Sequence, residues 1–425
     1  RLVFDGGGFI ATPDGSVVEG PLLSKKYWTL TTSIVDLDDI SRQRAENTTW
    51  RLDVSRTNGK DGVVTIGARD GKFIPATVKD YAAQLPKSFY VPTASWTMND
   101  STKYLDELFD ALVLGLRDYF EKVGAFEKYL VALSGGRDSA LCLLLAVHAA
   151  TALREGKDTK THSERVATVY LPNRPFSSKG TEDAARALAH ELGVPFHVVS
   201  IAEEAEVALK KAAEMTGSPK KISALAKQNL QARVRGNMML NWANNENALL
   251  LVTSNLSEAA VGYTTTGGDN QGGYSPIANV PKTLVTRLIE HIAKRDGIKS
   301  IQKVLDIPPS AELGPDQQDE KDLMPYAVLD DLLFLFARRR MSLPDCWRVL
   351  VHRHPKHKPE QLRAWTTRFG KLFVCNQWKR EQLPVTMKVL DLDLDPKTGF
   401  RFPVTQSIDD ELRDLAKAKL EPVPR

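Results

Sequence analysis

The chain has 425 residues, long enough for two or three domains and a sizeable core. With 57 Lys and Arg against 53 Asp and Glu, its net charge of +4 is too small for a dedicated nucleic-acid binder. Its three cysteines, Cys142, Cys346 and Cys375, form neither a CxxC zinc pair nor an even disulfide framework, and no segment is apolar enough for a membrane span, so the expected setting is a reducing cytoplasm without membrane partners.

The first residues, RLVFDGGGFIATPDG, lack the pattern of a signal peptide and begin without Met, as an internal fragment of a longer protein would. Through about Asp53 the sequence reads as β-rich: GGFIATPDGSVVEG is two short apolar runs around a Pro-Asp-Gly turn, and YWTLTTSIVDLDDI continues it. The Gly-rich, charged passage SRTNGKDGVVTIGARDGKF suits a connection, and residues 54–100 are expected to be a linker. Leu105, Leu108, Leu112 and Leu116, spaced by three or four, predict a helix from Thr102 to about Val123.

From Tyr129 the rhythm alternates. Strands are expected at YLVAL, RVATVYL, FHVVSI and ALLLVTSN, with a helix in TEDAARALAHELG, acidic at its start and closed by Gly193. Such alternation predicts an α/β fold, a Rossmann-like, mainly parallel sheet with helices on both faces, whose ligands bind at the carboxyl ends of the strands. Two loops stand at those ends, SGGRDS and TSNLSE. From Val280 onward the chain reads as helix-rich with Pro breaks. Its basic clusters ARRR and HRHPKHK lack Cys or carboxylate partners at metal-ligand spacing and read as a solvated basic surface.

The stretch YLVALSGGRDSALCLLLA carries the most chemistry. Glycines at a strand end let backbone N–H groups approach a ligand closely, and the following helix adds its positive dipole end, so the ligand is an anion. Neither GxxxxGK[ST] nor GxGxxG is present. Ser134, Gly135, Gly136, Asp138 and Ser139 gather hydroxyls, amides and one carboxylate able to hold Mg²⁺ through oxygen. The plainer alternative is a Gly turn with a Ser or Asp N-cap.

LSGGRDS resembles the pyrophosphate-binding loop of the N-type ATP pyrophosphatases, which include NAD, GMP and asparagine synthetases and tRNA-thiolating ligases. KQNLQARVRGNMMLNWANNENALLLVTSNLSEAAVGYTTTGGDNQGGYSPIANVPKTLV looks like the central block of glutamine-dependent NAD synthetase, and PPSAELGPDQQDEKDLMPYAVLDDLL and NQWKREQLP resemble the same family. Together these cover most of Asp100 to about Pro403. The resemblance implies a synthetase domain over 101–425, preceded in 1–53 by the last strands of a nitrilase-like glutaminase domain. The Glu, Lys and nucleophilic Cys of that glutaminase would lie upstream of this remnant. Cys142, in the apolar helix behind the loop, reads as a buried thiol and not as that nucleophile.

The resemblance also implies an activity: ATP-dependent amidation of deamido-NAD to NAD through an adenylate, with Mg²⁺, and with nitrogen from ammonia or, in a longer parent, glutamine. Ser134, Gly135, Gly136, Asp138, Ser139, Thr253 and Lys282 are then the ATP contacts, and Asp138 and Glu258 the metal ligands. Asp138 and Lys282 are the catalytic pair. Asn229, Arg233, Glu258, Asp269 and Lys379 match positions near deamido-NAD. Asn229 and Arg233 lie one helical turn apart, whereas Arg235 points elsewhere. Arg137 fills a position that is apolar in many relatives and is expected to reach a phosphate or solvent. A homo-oligomer acting on small molecules is expected. The competing readings are another ATP pyrophosphatase such as GMP synthetase, and a catalytically silent nucleotide-binding subunit.

Overall fold

The computed structural model describes residues 102–156, 159–173, 177–308, 319–397 and 399–420 and, nearer the N-terminus, 8–12, 17–20, 30–33, 35, 37–47 and 49. The expected linker lies outside them. At the N-terminus, β1 (Phe9–Ala11) and β2 (Val17–Glu19) pair antiparallel, Phe9 opposite Glu19; the expected Pro-Asp-Gly turn lies outside the described residues. The β-rich reading fails at Leu37–Glu46, which is helix α1. Asp38 and Asp39 in its first turn and Arg44 in its last complement the helix dipole. Asp39 also accepts a bond from the buried Arg339 at 2.6 Å, a tertiary partner that ties this helix to the C-terminal half of the chain.

The expected helix follows as α2 (Thr102–Val123), with Leu105, Leu108, Phe109, Leu112, Leu116 and Phe120 forming its buried stripe. Next come β3 (Lys128–Ala132), α3 (Arg137–Gly156), the short α4 (His162–Arg165), β4 (Val166–Tyr170), α5 (Lys179–Glu191) and β5 (Phe196–Val198). After them, α6 (Ala202–Thr216) and α7 (Ala224–Asn245) lead into β6 (Ala248–Leu251). The four strands form one parallel sheet in the order β5-β4-β3-β6, with Leu130 opposite both Ala167 and Leu250.

Every residue of β4 and β6 is buried, as in strands covered on both faces; β6 is wholly apolar, and β4 is apolar but for Thr168, whose hydroxyl donates to the Pro195 carbonyl at 2.7 Å. Tyr129, Val131 and Leu133 face the core shared with α2, α3 and α9 (Lys282–Asp296), while Leu130 joins Ala167, Leu250 and Met239 of α7 on the opposite face. From β3 the chain moves one way to β4 and β5, then returns to the other side for β6. The loops leaving β3 and β6 therefore open side by side at a topological switch point.

The helix-rich remainder adds α8 (Leu256–Val261) before α9, then α10 (Ile301–Leu305), α11 (Asp319–Asp322) and α12 (Tyr326–Leu333), which runs into a π-helical turn at Phe334–Arg338. Then come α13 (Leu343–Arg353), α14 (Pro359–Cys375), α15 (Gln377–Arg380) and α16 (Asp409–Lys417). Leu329, Leu333, Trp347, Phe369 and Phe373 centre a second core here. The basic clusters are not a merely solvated surface. Arg339 is buried on Asp39, and Arg353 and His354 both bond Asp331, at 2.9 and 2.7 Å. Cys142 is fully buried 3.9 Å from the Val252 carbonyl, and burial pushes its thiol well up, as expected of an inert cysteine. Among the described residues no helix is long and apolar enough to cross a membrane.

One backbone contact sets where α7 lies relative to the chain after α8. A Cβ built on Gly236 would sit 2.7 Å from the Gly268 carbonyl oxygen, and one on Gly268 would sit 2.9 Å from Ala232. Gly236→Ala should gain up to about 1 kcal/mol of helix propensity. Overlap with backbone should outweigh that gain. The expected outcome is a lower melting temperature; a raised one would mean that the turn carrying Gly268 yields freely.

Candidate active site

The SGGRDS loop is shaped by its first glycine. Gly135 has φ +81°, and a Cβ there would fall 2.2 Å from the Thr181 carbonyl oxygen, so both the turn and the approach of α5 require glycine. The hydroxyls then tie the loop to the start of α3. Ser139 Oγ accepts from the Ser134 amide at 3.2 Å, lies 3.1 Å from Ser134 Oγ, and donates to the Gly136 carbonyl at 3.0 Å. Ser134 Oγ accepts from the Gly136 amide at 3.3 Å. The loop is a small cup of hydroxyls and amides at a helix N-terminus, the geometry that suits an anion.

Across from the loop, Asn255 N-caps α8 by accepting the Glu258 amide at 3.0 Å, and its side-chain amide donates to Asp138 at 3.0 Å. Lys282, the first residue of α9, reaches both carboxylates: Nζ bonds Asp138 Oδ2, and Glu258 Oε1 at 3.1 Å. Tyr326 of α12 donates to the same Glu258 oxygen at 3.1 Å, and its ring centroid lies 5.2 Å from Nζ. The Lys282 side chain is only 6 % exposed. Burial alone favours the neutral amine, but Asp138 and Glu258 outweigh it and hold the ammonium well above the ordinary lysine range. Two carboxylates and one ammonium leave this cluster with a net charge of −1.

A cavity of about 270 Å³ opens at these groups. Ser134, Gly136, Asp138, Ser139, Thr253, Glu258 and Lys282 line it, so the expected phosphate and metal residues come together, with Gly135 turned away against Thr181. Of the five residues expected near deamido-NAD, Glu258 lines this cavity, while the other four gather around the turn after α8. Asn229 accepts from Thr265 Oγ1 at 2.8 Å, Arg233 donates to the Thr266 carbonyl at 3.1 Å, and Lys379 donates to the carbonyls of Gly262 and Thr264 at 2.7 and 2.8 Å. Asp269 accepts the Thr265 amide at 2.5 Å. Of these four only Asp269 is on the cavity wall.

Arg235, expected to point elsewhere, is on that wall too, with Nε donating to the Leu171 carbonyl at 2.9 Å. Arg137 goes neither simply to phosphate nor to solvent: it bonds Thr286 at 3.3 Å and the Leu305 carbonyl at 3.0 Å while bordering the cavity. The sequence reading passed over Asn255, Ser254 and Tyr326. Asn255 had a local signal, an N-cap residue three positions before an acid. Ser254, whose hydroxyl is buried in the wall without a hydrogen-bond partner, had only its place in the loop TSNLSE, and Tyr326, 68 residues from Glu258, had no local signal.

Residues 108–354 match the family model described as NAD synthase. The glutamine-dependent NAD(+) synthetase of Aquifex aeolicus is 33% identical over 412 residues, covering 95% of this chain and 63% of that protein. The one from a Synechocystis species is 36% identical over 313 residues, 71% of this chain and 49% of that protein. The crystal structure of a glutamine-dependent NAD(+) synthetase from Cytophaga hutchinsonii is similar with a TM-score of 0.64 and 26% identity, covering 74% of this chain and 56% of that one. The chain thus spans between 49% and 63% of the length of these two curated relatives.

The ion cluster makes a stability prediction of its own. Lys282→Met leaves two neighbouring carboxylates without their cation and should cost about 3 kcal/mol, the scale for breaking a buried ion pair from one side. Adding Asp138→Asn should return part of that loss by removing the repulsion. Urea unfolding midpoints would show the double variant above the single one; a single variant as stable as the parent would mean that the ammonium offsets nothing.

Proposed function

The chain belongs to the NAD synthase family, and from that premise we propose that its cavity amidates the nicotinate carboxylate of deamido-NAD to give NAD, with ATP as the activating substrate. The observation that carries this reading is the Lys282 ammonium held between Asp138 and Glu258 beside the SGGRDS loop, on the wall of one cavity.

A carboxylate is a poor electrophile because it is anionic and its oxygen is a bad leaving group. In the proposed reaction the nicotinate carboxylate oxygen attacks the α-phosphorus of ATP and pyrophosphate leaves. Ammonia then attacks the carbonyl carbon, and AMP departs with the former carboxylate oxygen while the nitrogen loses a proton. Neither step needs a protein nucleophile, so the side chains act by orienting reactants and offsetting charge. Ser134, Gly135, Gly136 and Ser139 would hold the pyrophosphate half of ATP, with Thr253 contacting it from the end of β6. Lys282 would set a point charge against the phosphates.

Asp138 and Glu258 suit Mg²⁺. Two carboxylates completed by substrate phosphate oxygens are the usual donor set of that ion, and among the described residues no third acidic, His or Cys side chain joins them into an all-protein cage. When bound there, the ion would offset charge on the phosphate oxygens. Asn229, Arg233, Asp269 and Lys379 would shape the deamido-NAD side by fixing the turn between Gly262 and Asp269. Residues 1–53 would be the end of a glutaminase domain. A cytoplasmic homo-oligomer is the setting that accords with this reading.

The test is an assay of the purified 425-residue chain with deamido-NAD, ATP and Mg²⁺, comparing ammonium with ammonia-scavenged glutamine. NAD, AMP and pyrophosphate should appear in equal amounts with ammonium. Asp138→Asn and Glu258→Gln should each remove most of this turnover, on the order of 100-fold, as expected for groups that organise transition-state charge. Amidation of xanthosine monophosphate in place of deamido-NAD, or ATP binding without any product, would overturn the reading.

A further inference from the structure

α8 is capped by its own Asn255, but α9 has no side-chain cap, and its first-turn amides are satisfied through one buried acid. The residue before α9 is Pro281, which offers no side-chain cap, so the amides of Lys282 and Thr283 must be satisfied from outside the helix. The Lys282 amide donates to Ser257 Oγ at 2.8 Å, and Ser257 Oγ in turn donates to Asp330 Oδ1. The other carboxylate oxygen, Asp330 Oδ2, accepts from the amide and the hydroxyl of Thr283 at 2.9 and 2.7 Å. Asp330 is 3 % exposed and Ser257 is fully buried. A carboxylate placed at the N-terminus of α9 also meets the positive end of that helix.

The positions are those that matter for the cavity. Lys282 begins α9, Ser257 directly precedes Glu258 in α8, and Tyr326, one turn before Asp330 on α12, bonds Glu258 itself. We propose that Asp330 is a positioning residue of this site: its carboxylate pins the start of α9 to Ser257 of α8, so that the Lys282 ammonium is held against Asp138 and Glu258. The proposal rests on the amidation reading for its substrate but not for its geometry. It also explains why an acid stands there among apolar neighbours. The site supplies three donors to Asp330, and an asparagine would turn its N–H₂ toward some of them and lose bonds at almost unchanged volume.

The test is a double-mutant cycle read by affinity for a non-hydrolysable ATP analogue with Mg²⁺, alongside NAD formation. Asp330→Asn should weaken analogue binding by about tenfold or more, since a displaced Lys282 loses its alignment with the phosphates. In a Lys282→Ala background the same change should cost less than about threefold, because Asp330 acts through Lys282. A merely structural role would lower the number of binding sites as protein unfolds, leaving affinity and the KM for ATP unchanged. Should Asp330→Asn fail to fold, Ser257→Ala, which removes only the bridging hydroxyl, should show the same loss of affinity. Equal losses in both backgrounds, or parental affinity in a folded Asp330→Asn or Ser257→Ala protein, would overturn the proposal. A parent chain that binds the analogue and follows this cycle but forms no NAD would sink the amidation reading and leave the role of Asp330 standing.

Discussion

The ammonium of Lys282 is the constraint around which the cavity is arranged. A buried cation must find anions, and here it finds two, delivered by the helix after β3 and the helix after β6. Only a parallel sheet with its switch point beside β3 opens those two loops side by side. The remaining contacts support that meeting: Gly135 lets the loop turn, Asn255 holds Asp138, and Tyr326 holds Glu258. The charges of the cavity are therefore set by the fold before any ligand arrives, which is how a polar site lowers its reorganisation cost.

Much of the fold was legible in local pattern. The helix at Thr102–Val123 and the strands β3 and β6 announce themselves by periodicity and apolar runs, because their burial is decided within each segment. The helix at Leu37–Glu46 did not. Its neighbours are β-branched, its own apolar residues are few, and the Asp39–Arg339 pair spans 300 positions. The same distance effect hid the burial of Arg339 within ARRR, which local composition makes look solvated.

The site divides in the same way. The loop residues Ser134 to Ser139 carry a local signature because the left-handed turn at Gly135 and the hydroxyl bonds between Ser134 and Ser139 are made within six residues. Asp330 and Tyr326 do not, since an acid or a tyrosine in an apolar helix says nothing about which amide or carboxylate it will meet. Ser257 and Asp330 are 73 residues apart, and only the packing of α12 against α8 and α9 brings them together. Arg235 shows the limit of helical-face arithmetic: one turn of α7 places Asn229 and Arg233 on the turn after α8, while the cavity wall is built by the residue two further on.

The central claim is that this geometry activates a carboxylate at the α-phosphorus of ATP. The most direct measurement follows the oxygen. Deamido-NAD labelled with ¹⁸O in its nicotinate carboxylate is turned over with unlabelled ATP and ammonium, and the products are weighed by mass spectrometry. The account predicts AMP carrying one ¹⁸O and pyrophosphate carrying none. Label appearing in pyrophosphate or inorganic phosphate, with AMP unlabelled, would contradict it.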